Sequence, residues 1–124
     1  MRAKELFDKS LGDLRQIAKD LDIPRAQWLK KEALVLEIRR AEAEEKGREV
    51  RGGILEIMSE GIGFLRSANY QSGPDDIYVS QSQIRRFDLR SGDLVIGHVR
   101  PPRNSERHYG LLKAESVNGM EPAK

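Results

Sequence analysis

Cysteine is absent from the 124 residues, which excludes disulfides, a thiol nucleophile and cysteine-ligated zinc. Two histidines, His98 and His108, are too few to build a metal centre by themselves. Aromatic residues make up 6% of the chain against 34% charged ones, so the core must be small and aliphatic. No apolar run approaches the roughly 18 residues that cross a bilayer. The N-terminus carries no apolar signal segment, and a cytoplasmic location is the expectation. A Gly-x-x-x-x-Gly-Lys-Ser/Thr phosphate loop and a Gly-x-Ser-x-Gly elbow are both missing from the sequence. Asp75 and Asp76 are adjacent, and neighbours on a strand point to opposite faces, so they cannot flank one substrate bond. His98 sits among Val95, Ile96 and Val99, a structural position rather than that of a base. The expectation is a chain without catalytic residues, metal or cofactor.

Net charge is only +2, too small to argue for a polyanionic partner. The kind of base is more informative than the number. Eight of the ten basic residues after Val50 are arginine, a planar and stackable donor rather than a hydrated point charge.

The composition changes near Gly47–Gly53. Before it, apolar residues follow helical spacing. Residues 2–8 are read as a short helix packing Leu6 and Phe7. Leu11, Leu14, Ala18 and Leu21 follow Ser10, which with Asp13 resembles a capping box, and Pro24 is expected to stop that helix. A longer helix is expected from about Gln27 through Lys46, burying Leu34, Ile38 and Ala41 and leaving residues 42–46 as a solvated end. After Gly53 short alternating strands are predicted at about 53–58, 62–67, 76–80, 93–100 and 109–117, with Ser82–Leu89 as a helix or turn. The fold class is α+β: a small N-terminal three-helix bundle at 1–49, then a five-stranded β-barrel of the oligonucleotide-binding type at 50–119.

Gly61–Arg66 and Gly73–Phe87 carry the chemistry. With period two, Ile62, Phe64 and Arg66 share one strand face. An aromatic beside a guanidinium forms a stacking platform with a hydrogen-bonding fork, suited to an unpaired base. Asp76, Tyr78 and Ser80 repeat the pattern while Ile77 and Val79 face the core. In Arg103–Tyr109, Glu106 and His108 alternate onto one face ahead of Leu111 and Leu112.

Gly61-Ile-Gly-Phe-Leu-Arg-Ser67, Gly73-Pro-Asp-Asp-Ile-Tyr-Val-Ser80, Gln83-Ile-Arg-Arg-Phe87, Arg100-Pro-Pro102 and Leu111-Leu-Lys113 closely resemble the RNA-binding domain of the bacterial Rho transcription termination factor family. The resemblance covers nearly the whole chain. It implies a primary RNA-loading site for unstructured, cytosine-rich transcript, with single-stranded DNA as a possible second ligand. It further implies that residues 120–124 begin a linker to a missing motor, a homohexameric RNA-dependent ATPase and helicase. ATP and magnesium belong to that motor, and the fragment itself is expected to be monomeric. Carried over residue by residue, Phe64 matches the residue that stacks on a cytosine, and Arg66 and Asp76 match those that bond its edge. Tyr78, Glu106 and His108 match the enclosure of the neighbouring base. Two positions depart from the family pattern: Ile62 replaces a second phenylalanine and His108 replaces a tyrosine. Tyr109 is in the opposite parity and is expected to support the barrel.

Two other readings remain open on the sequence. One is a stand-alone single-strand binder of the same barrel type without base preference. The other is a protein–protein adaptor working through the helical part. The helical spacing is also similar to small duplex-binding modules, although amphipathic helices usually exist to pack, with at most incidental phosphate contact from Lys30 and Lys31.

Overall fold

The computed structural model describes residues 1–66, 73 and 75–123. Its first part holds three α-helices: α1 (Ala3–Phe7), α2 (Leu11–Asp20) and α3 (Lys31–Glu45). The Ser10 hydroxyl accepts the Asp13 N–H at 3.1 Å and so satisfies one orphan donor of α2. The full reciprocal box occurs instead at Ser80 and Gln83, which start α4 (Gln81–Arg86).

Three helical expectations need correction. Pro24 does not stop α2, because the helix has already ended at Asp20 and Asp22 turns the chain with φ 58°. The long helix does not begin at Gln27. Ala26–Trp28 forms a separate 3-10 turn, and α3 starts at Lys31 after Leu29 adopts an extended backbone. Ala41 is only half-buried, while Val35, Arg39 and Ala43 join Leu34 and Ile38 inside. The residues taken for a solvated helix end are therefore partly a packing surface.

The second part is a closed barrel of β1 (Val50–Ile57), β2 (Gly63–Arg66), β3 (Ile77–Val79), β4 (Leu94–Arg100) and β5 (Tyr109–Val117). The strands run in the order 1-2-3-5-4 and close by antiparallel pairing of β1 with β4. The pairing of β3 with β5 is parallel, as expected of a Greek-key oligonucleotide-binding barrel. The expected second strand is shortened: Ile62 lies before β2, and Ser67 falls outside the described residues. Ser72 and Pro74, between the second and third expected strands, also lie outside them.

Alternation sorts the barrel's side chains. Leu55, Leu65, Ile77, Val79, Val95, Val99, Leu111 and Ala114 fill the interior, with Ile84 of α4 joining them. Gly97 is needed where β4 and β5 press together, since a Cβ there would stand 2.3 Å from the Lys113 carbonyl oxygen. Val50 and Ile96 face the other way and belong to the helical core with Leu14, Leu34 and Ile38. The helices thus share a core with the outside of the barrel.

A bulge aims one charged residue at that junction. Ile96 pairs with Ser116 and Gly97 with Ala114, which leaves Glu115 as the extra residue of β5. Glu115 is buried and accepts the Ala3 N–H at 2.8 Å and the Arg39 Nε and Nη2 at 2.5 and 2.8 Å. His98 Nε2 approaches it at 3.3 Å. Burial pushes the Glu115 carboxyl up, but the Arg39 and Ala3 donors outweigh it, and the net shift is downward. Burial pushes the His98 imidazole down.

Candidate nucleic-acid interface

Pairing of β2 with β3 sets Phe64 opposite Tyr78 on the outer face, with Leu65 and Ile77 opposite each other inside. Their rings meet edge to face at 6.1 Å between centroids. His108, arriving from the loop before β5, meets the Phe64 ring edge to face at 5.1 Å. Beside Tyr78, β5 presents Gly110, so no side chain fills that position of the face. Tyr78 is the more open of the three, while Phe64 and His108 are half-buried. The result is a shallow aromatic surface with half-buried Phe64 at its centre and the open Tyr78 ring beside it, suited to a flat apolar face.

Arg66 is two residues beyond Phe64 on the same strand face, and its guanidinium carbon lies 5.5 Å from the Phe64 ring centroid. Its Nη1 donates to Asp76 at 2.7 Å, and both side chains are buried. Asp76 also accepts the Gly73 N–H at 3.1 Å, which ties it to the start of the β3 segment. Glu56, paired with Phe64 across β1 and β2, forms a second ion pair with Arg66. Met58 adds its sulfur at 3.7 Å from Nη2. An arginine held by two carboxylates on the sheet is fixed in position rather than free to sweep.

Ile62 and Glu106 sit differently from their expected places. Ile62 is half-buried ahead of β2, where its carbonyl accepts the Met58 N–H in the turn closed by Gly61. Glu106 lies in the loop before β5 and is bonded bidentately by Arg100, at 2.7 and 3.0 Å. It also accepts the Arg103 N–H at 2.9 Å. The Arg100 donors first, then the Arg103 N–H, hold its carboxyl at about 2. Glu106 therefore shapes the loop that delivers His108. Tyr109 packs on the barrel core with the Arg51 guanidinium 3.9 Å above its ring, the supporting part expected of it.

Residues 51–123 match the family model of the Rho termination factor RNA-binding domain, and residues 5–47 match that of the Rho termination factor N-terminal domain. The chain belongs to the Rho termination factor family. It is 48% identical over 118 residues to transcription termination factor Rho of Bacillus subtilis, covering 94% of this chain and 28% of that protein. It is 44% identical over 125 residues to the Rho of Pseudomonas fluorescens biotype C, and 41% identical over 125 to that of Escherichia coli K12. Each of those two matches covers 98% of this chain and 30% of the relative. The chain thus spans less than a third of the length of these curated relatives, and its matched part is the RNA-binding region of a transcription termination factor. Among the described residues no helix is long and apolar enough to cross a membrane.

Within this Rho domain, sequence reasoning did not single out Glu56 or Met58, and met Arg100 only in the block Arg100-Pro-Pro102, without a role at the site. A signal for Glu56 existed, because it sits on an alternating strand with an acidic side chain on the polar face. Nothing local indicated that Arg66 would be the residue it meets.

Proposed function

We propose that the outer face of β2 and β3 holds single-stranded, cytosine-rich RNA and serves as the primary RNA-loading site of a Rho-type termination factor. The observation that carries this reading is the convergence of Phe64, Tyr78 and His108 beside the buried Arg66–Asp76 pair. A base stacks on Phe64, since every base offers a π face and such a stack contributes roughly 1–3 kcal/mol. Its edge then meets Arg66 and Asp76. Cytosine offers an N4 donor and acceptors at O2 and N3, which a carboxylate and a guanidinium satisfy together. Uracil would turn its O4 acceptor toward Asp76, a mismatch of about 1–3 kcal/mol when buried. Tyr78 and His108 border the place of a neighbouring base, and Ile62 gives apolar contact without stacking. Deoxyribose strands with the same bases are admissible ligands, because none of these contacts needs the 2′-hydroxyl.

In the full-length protein this domain would feed RNA to a homohexameric RNA-dependent ATPase and helicase, with ATP and magnesium in that motor. Residues 1–49 act as a helical cap, 50–119 as the binding barrel, and 120–124 begin the connection to the motor.

Fluorescence anisotropy with labelled oligo(C), oligo(U) and oligo(A) at fixed salt tests the proposal. Oligo(C) is expected to bind best, and affinity should fall as salt rises because phosphate contacts release counterions. Equal affinity for all three would leave a barrel without base preference. Asp76→Asn is expected to narrow the C-over-U ratio, since the amide can donate to O4. An unchanged ratio would remove Asp76 from the reading of the base.

His108→Tyr supplies a second measurement. A phenol ring covers more of a base than an imidazole, so the variant should bind oligo(C) more tightly, by a few-fold. Identical titrations would mean that His108 serves only to support Phe64.

A further inference from the structure

Trp28 is the only tryptophan in the chain, and it is 78% exposed. It ends the 3-10 turn between α2 and α3, on the helical part. Its neighbours Ala26 and Leu29 pack into the helical core, so the turn is anchored while the indole stays outside. Arg25, Lys30 and Lys31 flank it within six residues of sequence. An open groove of about 710 Å3 beside the turn is lined by Arg15, Lys19, Asp22, Ile23, Ala26 and Gln27 among others, two cations and one carboxylate. Arg15 and Lys19 thus line the groove, and Arg25, Lys30 and Lys31 lie within three residues of Trp28 in sequence, which makes five cations near the turn. None of the five takes part in an ion pair among the described residues, although other basic side chains on the helices do.

Lys19 suits the last turn of α2, but the two lysines at the start of α3 do little for the fold. Lys30 and Lys31 occupy the start of α3, the electropositive end of its dipole, where a lysine is unfavourable. Lys30 caps the helix without a side-chain hydrogen bond. An exposed indole likewise adds nothing to the core. Unpaired cations around a bare aromatic surface suit a ligand that alternates anionic groups with flat apolar ones. That description fits single-stranded nucleic acid and excludes a purely anionic polymer, which has nothing to place on the indole.

We infer that Trp28 and the cations Arg15, Lys19, Arg25, Lys30 and Lys31 form a second single-strand contact, in which a base stacks on the indole and the cations take the adjoining phosphates. The inference rests on the reading of the barrel as an RNA site only in supplying the same strand to both places. The helical cap is then a working part of the binding surface, and the footprint on RNA is longer than the barrel alone requires.

The sole tryptophan reports on its own site. The 124-residue chain is titrated with labelled oligo(C) of two lengths. One is about 4 nucleotides, the lower end of the site size for such barrels, and the other exceeds the roughly 16 of the upper end. Anisotropy follows binding, and tryptophan emission follows Trp28. The long strand is expected to quench the emission and the short one to leave it unchanged. Trp28→Ala should weaken the long strand about tenfold, in line with one lost stack, and leave the short one unaffected. A long strand that saturates the anisotropy without changing the emission overturns the inference, as does equal long-strand affinity in Trp28→Ala. Equal quenching by duplex of the same length would reassign the surface to duplex, and equal quenching by heparin would reduce it to charge attraction. Failure of the short strand to bind counts against the Phe64 site alone, while the quenching by the long strand still decides Trp28.

Discussion

Glu115→Ala is expected to destabilise the protein by about 3–5 kcal/mol, the usual consequence of removing one partner from a buried ion pair. The change leaves the Arg39 guanidinium in the junction between helices and barrel without its main partner, and leaves the Ala3 N–H without its acceptor. A loss of that size is a large share of the total stability of a small domain. It should appear as a fall in the urea midpoint followed by circular dichroism. Glu115→Gln keeps an acceptor for Ala3 and should lose less. An apolar pair, Arg39→Met with Glu115→Leu, should recover much of the difference, because the charges give way together. An unchanged midpoint for Glu115→Ala would show that the junction is held by Leu34, Ile38, Val50 and Ile96 alone.

The same cluster predicts how stability depends on pH. His98 and Glu115 both have folded pKa values below their ordinary values of 6.5 and 4.5. Each therefore takes up a proton more readily when unfolded, so acid favours the unfolded chain. The His98 contribution is fully present above about 6.5 and is lost as pH falls through its lowered folded value. The Glu115 contribution is complete above about 4.5 and is lost further into acid. His98 faces Arg39, Arg48 and Lys113 as well as Glu115, and the three cations reinforce the direction. His98→Gln should remove the upper limb of a plot of melting temperature against pH and keep the lower one. A wild-type plot flat from pH 7 to pH 5 would count against this role for His98.

Phe64→Ala is expected to weaken every oligonucleotide that binds by roughly 1–3 kcal/mol, from several-fold to more than a hundredfold, because stacking is shared by all bases. The fold should hardly notice. Phe64 is half-buried on the outer face and touches Tyr78 and His108 rather than the barrel core. Leu65, its neighbour, is 1% exposed, and Leu65→Ala should instead cost about 2–5 kcal/mol of stability. Anisotropy and thermal melting on the two variants separate binding from folding. A Phe64→Ala protein that binds like the original would move the stacking surface to Tyr78.

Sequence by itself determined which residues alternate and how. The helices before Gly47 and the strands after it follow from local period and turn residues, and both are physical properties of a few neighbours. Period two alone turns Phe64 and Tyr78 outward and Leu65, Ile77 and Val79 inward, and the structure keeps that division. Tertiary structure decided everything that depends on a partner distant in the chain. Ile62 belongs to a turn rather than to the strand, because the Met58–Gly61 reversal takes up its carbonyl. Helix α3 begins at Lys31 because the 3-10 turn before it sends Ala26 and Leu29 into a core shared with α2 and the barrel. Glu106 bonds Arg100 while His108 alone reaches Phe64, although both lie in one segment with the same parity. Glu56 meets Arg66 only through the register of β1 and β2, and Glu115 meets Arg39 only through a bulge that inserts one residue into β5. Parity along a strand is set by the pleat, but register and bulges are set by which strands pair and by what packs on their outer side.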